Sequence, residues 1–219
     1  MGGSGRDRLW RALLFDVDGV LLDTGAFFER IWRTWAAARS LDPAFVAAHA
    51  HGRRPEDTLG DVAPHLDPAE ERRLLDELVA ARLDEIGPAA GAAALLAALG
   101  RTPWAIVSSG SRWFTRRCFQ AALMPFPAVA VFGEDVRQGK PSPDGYLAAA
   151  RMLCVPPAEC VAIEDSPAGI AAARSAGCAV VALATTHPPA LLGDADVLLP
   201  TLAASAELLL ETVREEGRR

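Results

Sequence analysis

Lysine is almost absent from this 219-residue sequence: of its 22 basic residues, only Lys140 is lysine and the rest are arginine. The arginine guanidinium is a wide planar fork, whereas the lysine ammonium is a compact point charge that fits between two anionic groups. A chain that uses arginine wherever any positive charge suffices keeps lysine where the compact group is required. Lys140 stands in the run Gly-Lys-Pro-Ser-Pro-Asp, residues 139–144. We therefore expect a specific chemical role for it rather than an accident of composition.

The sequence also lacks the features of membrane and nucleic-acid-binding proteins. No apolar run approaches the roughly 20 residues that cross a bilayer, and residues 1–8 are polar and Gly-rich, unlike a signal peptide. The formal net charge is −6, whereas phosphate backbones attract basic surfaces. We expect a cytoplasmic protein with no membrane and no nucleic-acid partner. Whether residues 1–5 are native or added stays open.

Cysteine is scarce and is not arranged for metal binding. The four cysteines have no Cys-x-x-Cys spacing and stand in apolar stretches: Cys118, Cys154, Cys160 and Cys178. Buried, reduced thiols are therefore expected rather than disulfides or a zinc site.

The order of helical and strand patterns indicates the fold class. A short apolar run at Leu13–Phe15 predicts a buried strand, residues 26–87 show only helical periodicity, and strands and helices alternate from Gly87 onward. This pattern predicts an α/β fold with a Rossmann-like, doubly wound parallel sheet and an all-helical insertion after the first strand. We expect two domains, a core of residues 9–24 and 88–219 and a helical domain of residues 25–87.

Two details of the helical insertion are also predicted. One amphipathic helix is expected over residues 68–86, with Asp67 as its N-cap. Its charged residues are expected to form a solvated face: Glu70, Glu71, Arg72 and Arg73.

Two aspartates follow the first predicted strand. Alternation along a strand directs Asp16 and Asp18 the same way, and Gly19 lets the backbone turn away closely. Two carboxylates this close repel each other, and a hard divalent cation such as Mg²⁺ relieves the repulsion. The same Asp-x-Asp-Gly run also occurs in solvated loops, so its context decides between the two interpretations.

Polar residues follow two further predicted strands. Ser108, Ser109 and Gly110 precede a helix, where hydroxyl and amide groups either bind phosphate or cap the helix. Glu164 and Asp165 end an apolar strand, and buried strand ends rarely carry two unpaired acids without a cation. The carboxyl ends of parallel strands form the ligand-binding edge of such sheets.

Together these stretches resemble the four motifs of the haloacid dehalogenase superfamily of phosphotransferases. The first motif, Asp-x-Asp-Gly-x-Leu-x-Asp-Thr, occupies residues 16–24, and Ser108, Lys140 and the Glu164-Asp165 pair follow in the family's order. The resemblance extends from Leu13 to about Thr186. The helical insertion resembles the alpha-helical cap of subfamily I. The run His-Gly-Arg-Arg at residues 51–54 is similar to the glycerol-phosphate and sugar-phosphate phosphatases.

The resemblance implies a Mg²⁺-dependent phosphatase acting on a small-molecule phosphate ester. Asp16 would form an aspartyl-phosphate, and Asp18 would act as general acid and base while binding the metal through its backbone carbonyl. Mg²⁺ would be held by Asp16 and Asp165, with Glu164 as a ligand or a water-mediated partner.

The resemblance also implies residues that bind the phosphate and the leaving group. Lys140 and Ser108 would hold the phosphoryl oxygens, with Ser109 and Gly110 beside them. His51 and Arg54 are candidate substrate contacts in the helical insertion, although a solvated loop is an equal alternative for both. A monomer is expected, since the chain's own cap covers its site. The substrate stays open among glycerol, polyol and hexose phosphates.

Three other functions fit the sequence less well. A dehalogenase is disfavoured because it does not use the second aspartate of the motif, present here as Asp18. A phosphomutase resembling beta-phosphoglucomutase shares all four motifs, but such mutases usually have a histidine where this chain has Phe28. A non-catalytic phospholigand sensor is disfavoured because no catalytic position is replaced.

Overall fold

The computed structural model describes residues 10–213, which centre on a parallel six-stranded sheet in the order β5-β4-β1-β6-β7-β8. Strands β2 and β3 form a separate antiparallel ribbon. The eight strands of the described residues are β1 Ala12–Phe15, β2 Leu22–Asp23, β3 Gly87–Pro88, β4 Trp104–Val107, β5 Val129–Val131, β6 Cys160–Glu164, β7 Ala179–Leu183 and β8 Val197–Leu199. The predicted α/β, doubly wound sheet is confirmed.

Helices cover both faces of this sheet, because side chains of a strand alternate between its faces. In β1, Leu13 and Phe15 pack into one apolar cluster, whereas Ala12 and Leu14 pack into the other. The helices are α1 Gly25–Ala38, α2 Pro43–Ala50, α3 Pro55–Val62, α4 Pro68–Ala80, α5 Ala92–Ala98, α6 Arg112–Ala121, α7 Asp144–Met152, α8 Pro167–Ala176 and α9 Leu202–Thr212.

Strand β1 is the strand that places the site. It pairs in parallel with β4 on one side and with β6 on the other. All four of its residues are fully buried, as expected for a strand covered on both faces. The residues that follow β1, β4 and β6 therefore meet at one edge of the sheet.

Helices α1 to α4 form the helical segment, residues 25–87, and no strand interrupts the described chain between β2 and β3. Its core includes Phe27, Ile31 and Trp35 on one side of α1, as the apolar spacing predicts. Asp67 caps α4 by accepting hydrogen bonds from the amides of Ala69 and Glu70. The division into two domains at residues 25 and 87 stays a prediction.

The predicted single helix over residues 68–86 is wrong. Helix α4 ends at Ala80, and a 3₁₀ turn at Leu83–Glu85 follows. The reason is tertiary: Gly87–Pro88 pairs with Leu22–Asp23, so the chain has to turn back before it reaches the ribbon. Helical periodicity in this stretch does not detect that pairing.

The predicted solvated face of α4 is wrong for one residue. Glu71 is 5% exposed, and its carboxylate accepts hydrogen bonds from Trp35 Nε1 at 2.7 Å and from the guanidinium of Arg39. A buried carboxylate is tolerated because donors satisfy it. Arg72 and Arg73 do lie on the charged side of the helix, where they form ion pairs.

The expectation of buried thiols holds for three cysteines and is wrong for the fourth. Burial raises the pKa of the thiols of Cys118, Cys160 and Cys178 to about 12, 11 and 12, so they stay protonated. Cys154 is exposed, because it follows α7 where the backbone turns with a φ of +57°.

Among residues 10–213, none of the helices has the length and apolar character that a membrane span requires. The predicted polar stretch at residues 1–8 lies outside the described residues.

Candidate active site

Three buried carboxylates meet at the carboxyl edge of the sheet. Asp16 directly follows β1, Glu164 ends β6, and Asp165 is the next residue. One oxygen from each of the three lies within 4.8 Å of the other two. We refer to Asp16, Glu164 and Asp165 as the carboxylate cluster. The prediction that strand topology brings these acids together is confirmed.

The single lysine of the chain lies inside this cluster. Nζ of Lys140 is 2.8 Å from Oδ1 of Asp16 and 2.6 Å from Oε1 of Glu164, and Lys140 is 6% exposed. Burial alone would lower the pKa of an ammonium, but these two carboxylates raise the pKa of Lys140 above its usual value. Lys140 is therefore a fixed positive charge in contact with Asp16.

One ammonium does not balance the acids around it. Burial raises the pKa of Asp16 well above its ordinary value; Lys140 opposes the rise, and Glu164 and Asp165 add to it. Burial likewise raises the pKa of Asp18 to about 6, although the hydroxyl of Thr24 donates to its Oδ1 at 2.9 Å and opposes the rise. Excess negative charge in a buried site favours binding of a cation.

The residues present fit a hard divalent cation such as Mg²⁺. Oδ1 of Asp165 is buried and has no hydrogen-bond partner among the described residues, so a ligand atom is left free. Its other oxygen accepts from the hydroxyl of Thr186 and lies 3.5 Å from Nε2 of His51. The carboxylate of Asp18 lies outside the carboxylate cluster, and its predicted binding through the backbone carbonyl stays a prediction.

Glu164 is held by donors on both of its oxygens. Oε1 accepts from the hydroxyl of Tyr146 and lies against Lys140, and Oε2 accepts from the amide of Asp165 at 3.2 Å and the hydroxyl of Ser166 at 3.3 Å. A carboxylate with this many donors has a fixed orientation. Glu164 therefore sets the position of Lys140 whatever else it binds.

Gly19 allows the loop that follows β1 to approach the carboxylate cluster closely. Its φ is +75°, and a Cβ at this position would lie 2.0 Å from Oδ2 of Asp165. Any side chain would collide with a carboxylate of the cluster. The predicted close turn after Asp18 is therefore confirmed.

The serines after β4 divide into two roles. Ser111 caps α6, since its hydroxyl accepts from the amide of Phe114 at 3.3 Å. Ser108 is buried, and its hydroxyl accepts from the amide of Gly110 at 3.0 Å, so helix capping does not explain it. The hydroxyl of Ser109 donates to the carbonyl of Gly52 in the helical segment at 2.9 Å.

A cavity of about 1070 Å³ lies between the helical segment and the edge of the sheet. Asp16, Asp18 and Gly110 border it from the sheet side, and His51 borders it from the helical segment. Burial alone would lower the pKa of His51, but the adjacent carboxylate of Asp165 raises it above its usual value. Ligands of several carbon atoms fit a cavity of this size.

The two residues predicted as substrate contacts in the helical segment lie in different surroundings. His51 borders the large cavity, whereas Arg54 does not. The guanidinium of Arg54 is paired with Asp57, with two N···O distances of 2.7 Å. The structure therefore brings His51, and not Arg54, to the cavity beside the carboxylate cluster.

Four side chains in contact with the site acids were missing from the predicted set: Thr24, Tyr146, Ser166 and Thr186. Thr24 and Thr186 lie inside the stretches that carry the resemblance, but spacing does not reveal which carboxylate a hydroxyl meets. For Tyr146 the sequence did contain a signal. It is the only tyrosine of the chain, and it stands on the helix that follows Lys140.

Comparison with known proteins agrees with this geometry. A family model of haloacid dehalogenase-like hydrolases matches residues 10–177. Hexitol phosphatase A of Escherichia coli K12 is 38% identical over 197 residues, which cover 88% of this chain and 91% of that protein. Glycerol-1-phosphate phosphohydrolase 1 of Saccharomyces cerevisiae is 33% identical over 80% of this chain and 75% of its own length.

A mutase and a phosphate-bound structure are also similar. Beta-phosphoglucomutase of Bacillus subtilis is 30% identical over 94% of this chain and 95% of its own. The crystal structure of CbbY from Rhodobacter sphaeroides in complex with phosphate matches with a TM-score of 0.76 at 29% identity, covering 90% of this chain and 96% of that chain.

Proposed function

This chain belongs to the haloacid dehalogenase-like hydrolases, and on that premise we propose that it is a Mg²⁺-dependent phosphatase of small phosphate monoesters. One observation carries the proposal. Asp16, the candidate nucleophile, is in contact with the buried ammonium of Lys140 and lies in the same cluster as the unpartnered Oδ1 of Asp165. Neutralising and positioning an anionic substrate is most of what phosphoryl transfer requires.

The reaction divides into two half-reactions at Asp16. In the first, an oxygen of the Asp16 carboxylate attacks phosphorus, the ester P–O bond breaks, and the aspartyl-phosphate forms. Asp18 gives a proton to the departing alkoxide. In the second, Asp18 takes a proton from water, which attacks phosphorus and releases inorganic phosphate and the free Asp16 carboxylate.

Lys140 and Ser108 are the proposed ligands of the phosphoryl oxygens, with Ser109 and Gly110 beside them. A unit charge about 4 Å from an ammonium gains roughly 4 kcal/mol at an effective dielectric constant of about 20. Mg²⁺, held by Asp16, Asp165 and the backbone carbonyl of Asp18, with Glu164 as a ligand or water-mediated partner, would supply further neutralisation of the phosphoryl charge. The carboxylate cluster supports this assignment.

Polyol and sugar phosphates are the proposed substrates. Relatives named as a hexitol phosphatase and a glycerol-1-phosphate phosphohydrolase support that class. The cavity of about 1070 Å³ has room for leaving groups of this size. His51, at its border, is the proposed contact in the helical segment. We propose a monomer as the working form, and the cytoplasmic location stays a prediction.

The test is phosphate release from hexitol, glycerol and hexose phosphates, with Mg²⁺ and with a chelator. Asp16→Asn is the matched control, because the amide has nearly the same shape and is a poor nucleophile. Metal-dependent release that disappears in Asp16→Asn is expected. Substantial release by the pure variant would contradict the role of Asp16.

The second candidate function is a phosphomutase, because a beta-phosphoglucomutase is among the relatives. Phe28 borders the cavity, at the position where such mutases usually have a histidine, and this favours hydrolysis. Formation of a sugar-phosphate isomer from a bisphosphate-primed reaction would favour the mutase. Tight binding of a phosphate ester without turnover would favour a sensor.

A further inference from the structure

We infer that Arg54 is a positioning residue that docks the helical segment onto the loop carrying Lys140, and does not bind the substrate. That loop, residues 133–140, follows β5 and leads to the only lysine of the chain. The inference rests on the proposed function for the role of Lys140. The docking itself rests on contacts alone.

The five N–H groups of a guanidinium form a rigid planar fork. All three guanidinium nitrogens of Arg54 donate hydrogen bonds to protein oxygens. Nε and Nη2 donate to the two oxygens of Asp57 at 2.7 Å each. Nη1 faces the sheet side and donates to the carbonyls of Val136 at 3.2 Å and Gly133 at 3.4 Å. Asp57 thus holds the fork in the orientation in which it meets the loop.

The loop is shaped to receive this pair of side chains. A Cβ at Gly139 would lie 2.5 Å from Nε of Arg54 and 2.6 Å from Oδ2 of Asp57. The φ of Gly139 is not in the left-handed region, so its missing side chain serves the approach of Arg54 and not a backbone conformation. Gly139 is the residue directly before Lys140.

Neighbouring residues dock the same part of the helical segment on two other loops of the site. The carbonyl of Gly52 accepts from Ser109 after β4, and His51 lies 3.5 Å from Asp165 after β6. Residues 51–54 therefore contact the loops after β4, β5 and β6 together. Arg54 is the member of this group that reaches the loop of Lys140.

Arg54 is poorly placed to recognise a substrate. It lines a small pocket together with Ser108 and Lys140, but its side chain is 16% exposed and its donor nitrogens already face protein oxygens. A residue that fixes a loop affects every substrate equally, whereas a substrate contact affects only substrates that have its partner group. This difference makes the inference testable.

The first experiment compares Arg54→Ala with Arg72→Ala. Arg72 is a matched control, because it lies in the same helical segment and its side chain is 23% exposed. Its ion-pair partners, Glu56 and Asp76, both lie within that segment. Arg54→Ala is expected to lower kcat/KM by about 10–100-fold, the range for displaced catalytic groups. The factor by which kcat/KM falls should be the same for sorbitol 6-phosphate and for p-nitrophenyl phosphate, whose leaving group carries none of the sorbitol hydroxyls.

Hydrogen exchange supplies a readout that needs no turnover. In Arg54→Ala the amides of residues 133–140 are expected to exchange faster than in the wild type, while Arg72→Ala leaves them unchanged. Loss of activity confined to sorbitol 6-phosphate would overturn the inference in favour of a substrate contact. Unchanged exchange, or unchanged activity with both esters, would also overturn it. If the wild type releases no phosphate at all, the proposed function fails and exchange still decides the docking.

A double-mutant cycle adds a test from the other side of the contact. Gly139→Ala introduces the Cβ that collides with Arg54 and should lower kcat/KM by a similar factor. In a background that removes both colliding side chains, Arg54→Ala with Asp57→Ala, the same substitution should have little further effect. If the two losses multiply instead, Gly139 acts on Lys140 without Arg54, and the inference is overturned.

Discussion

The hydroxyl of Tyr146 donates a hydrogen bond to Oε1 of Glu164, the same oxygen that lies 2.6 Å from Nζ of Lys140. Tyr146 and Glu164 are both fully buried, and Nζ of Lys140 lies 5.7 Å from the centre of the tyrosine ring. The only tyrosine and the only lysine of the chain thus share one carboxylate oxygen. Glu164 connects them, so a change at Tyr146 reaches the ammonium through it.

Tyr146→Phe should therefore affect both stability and activity. Hydrogen bonds to charged groups contribute about 1.5–3 kcal/mol, so we expect the free energy of unfolding to fall by about that amount. We expect kcat to fall as well, because Glu164 loses one of the donors that fix its orientation and Lys140 shifts with it. Urea unfolding and phosphate release measure the two effects.

Ser205→Ala is the control for Tyr146→Phe. The hydroxyl of Ser205 is also fully buried, but it donates only within α9, to the carbonyl of Leu202 at 2.7 Å. Its removal should cost about 1 kcal/mol and leave activity unchanged. Wild-type activity in Tyr146→Phe would show that Glu164 does not depend on the tyrosine.

Lys140→Arg is expected to lose activity although it keeps the charge. The ammonium is 6% exposed and lies between Asp16 and Glu164, which leaves no room for a planar guanidinium without moving one of them. We expect kcat to fall by roughly 100-fold or more, as for the loss of a preorganised donor. Arg72→Lys is the reverse exchange at a remote ion pair and should leave kcat unchanged. A Lys140→Arg enzyme with near wild-type kcat would make the scarcity of lysine a coincidence.

Most of the candidate site could be predicted from the sequence for one physical reason. Acids and hydroxyls that directly follow buried parallel strands must meet at one edge, whatever the helices between them do. Asp16, Glu164 and Asp165 follow this rule, whereas Lys140, which follows its strand by a longer loop, was indicated by the scarcity of lysine and then by the resemblance. The orientation of Glu164 was beyond prediction, since it depends on a hydroxyl from another helix.

What the sequence could not predict depends on contacts between distant parts of the chain. Arg54 looks like a free charge in a polar loop, but its orientation depends on Gly139 lacking a side chain 85 positions later. Glu71 looks like part of a charged helix face, yet Trp35 and Arg39 lie against it. Local periodicity contains no information about such partners.

Mg²⁺ is expected to stabilise the folded protein through Asp165. A ligand that binds only the native state raises the free energy of unfolding by about 2.7 kcal/mol at a concentration 100 times its dissociation constant. We therefore expect Tm to rise with added Mg²⁺ and the rise to disappear in Asp165→Asn, whose amide replaces a charged ligand oxygen. Asp196→Asn, at an exposed ion pair with Arg174, is the control and should keep the full rise. An undiminished rise in Asp165→Asn would place the metal elsewhere.

Glu71 should make the stability of the protein depend on pH in the acidic range. Burial alone would raise the pKa of this carboxyl, but hydrogen bonds from Arg39 and Trp35 outweigh it and lower the pKa below the usual value. A group whose pKa is lower in the folded state stabilises the fold above its unfolded pKa, near 4.3, and loses this contribution as the pH falls through the folded pKa. The wild type should thus lose stability below about pH 4 partly through Glu71.

Glu71→Gln isolates this contribution, since the amide does not titrate. We expect the variant to be less stable than the wild type at pH 7 by about 1–3 kcal/mol, because the buried Arg39 contact loses its charged acceptor. The difference between the two proteins should shrink as the pH falls from about 5 to 3. Glu77→Gln, at an exposed i,i+4 pair with Arg73, should change stability by less than about 0.5 kcal/mol. Urea unfolding at each pH measures both variants, and a pH-independent difference for Glu71→Gln would mean that the pKa of Glu71 is the same in the folded and the unfolded protein.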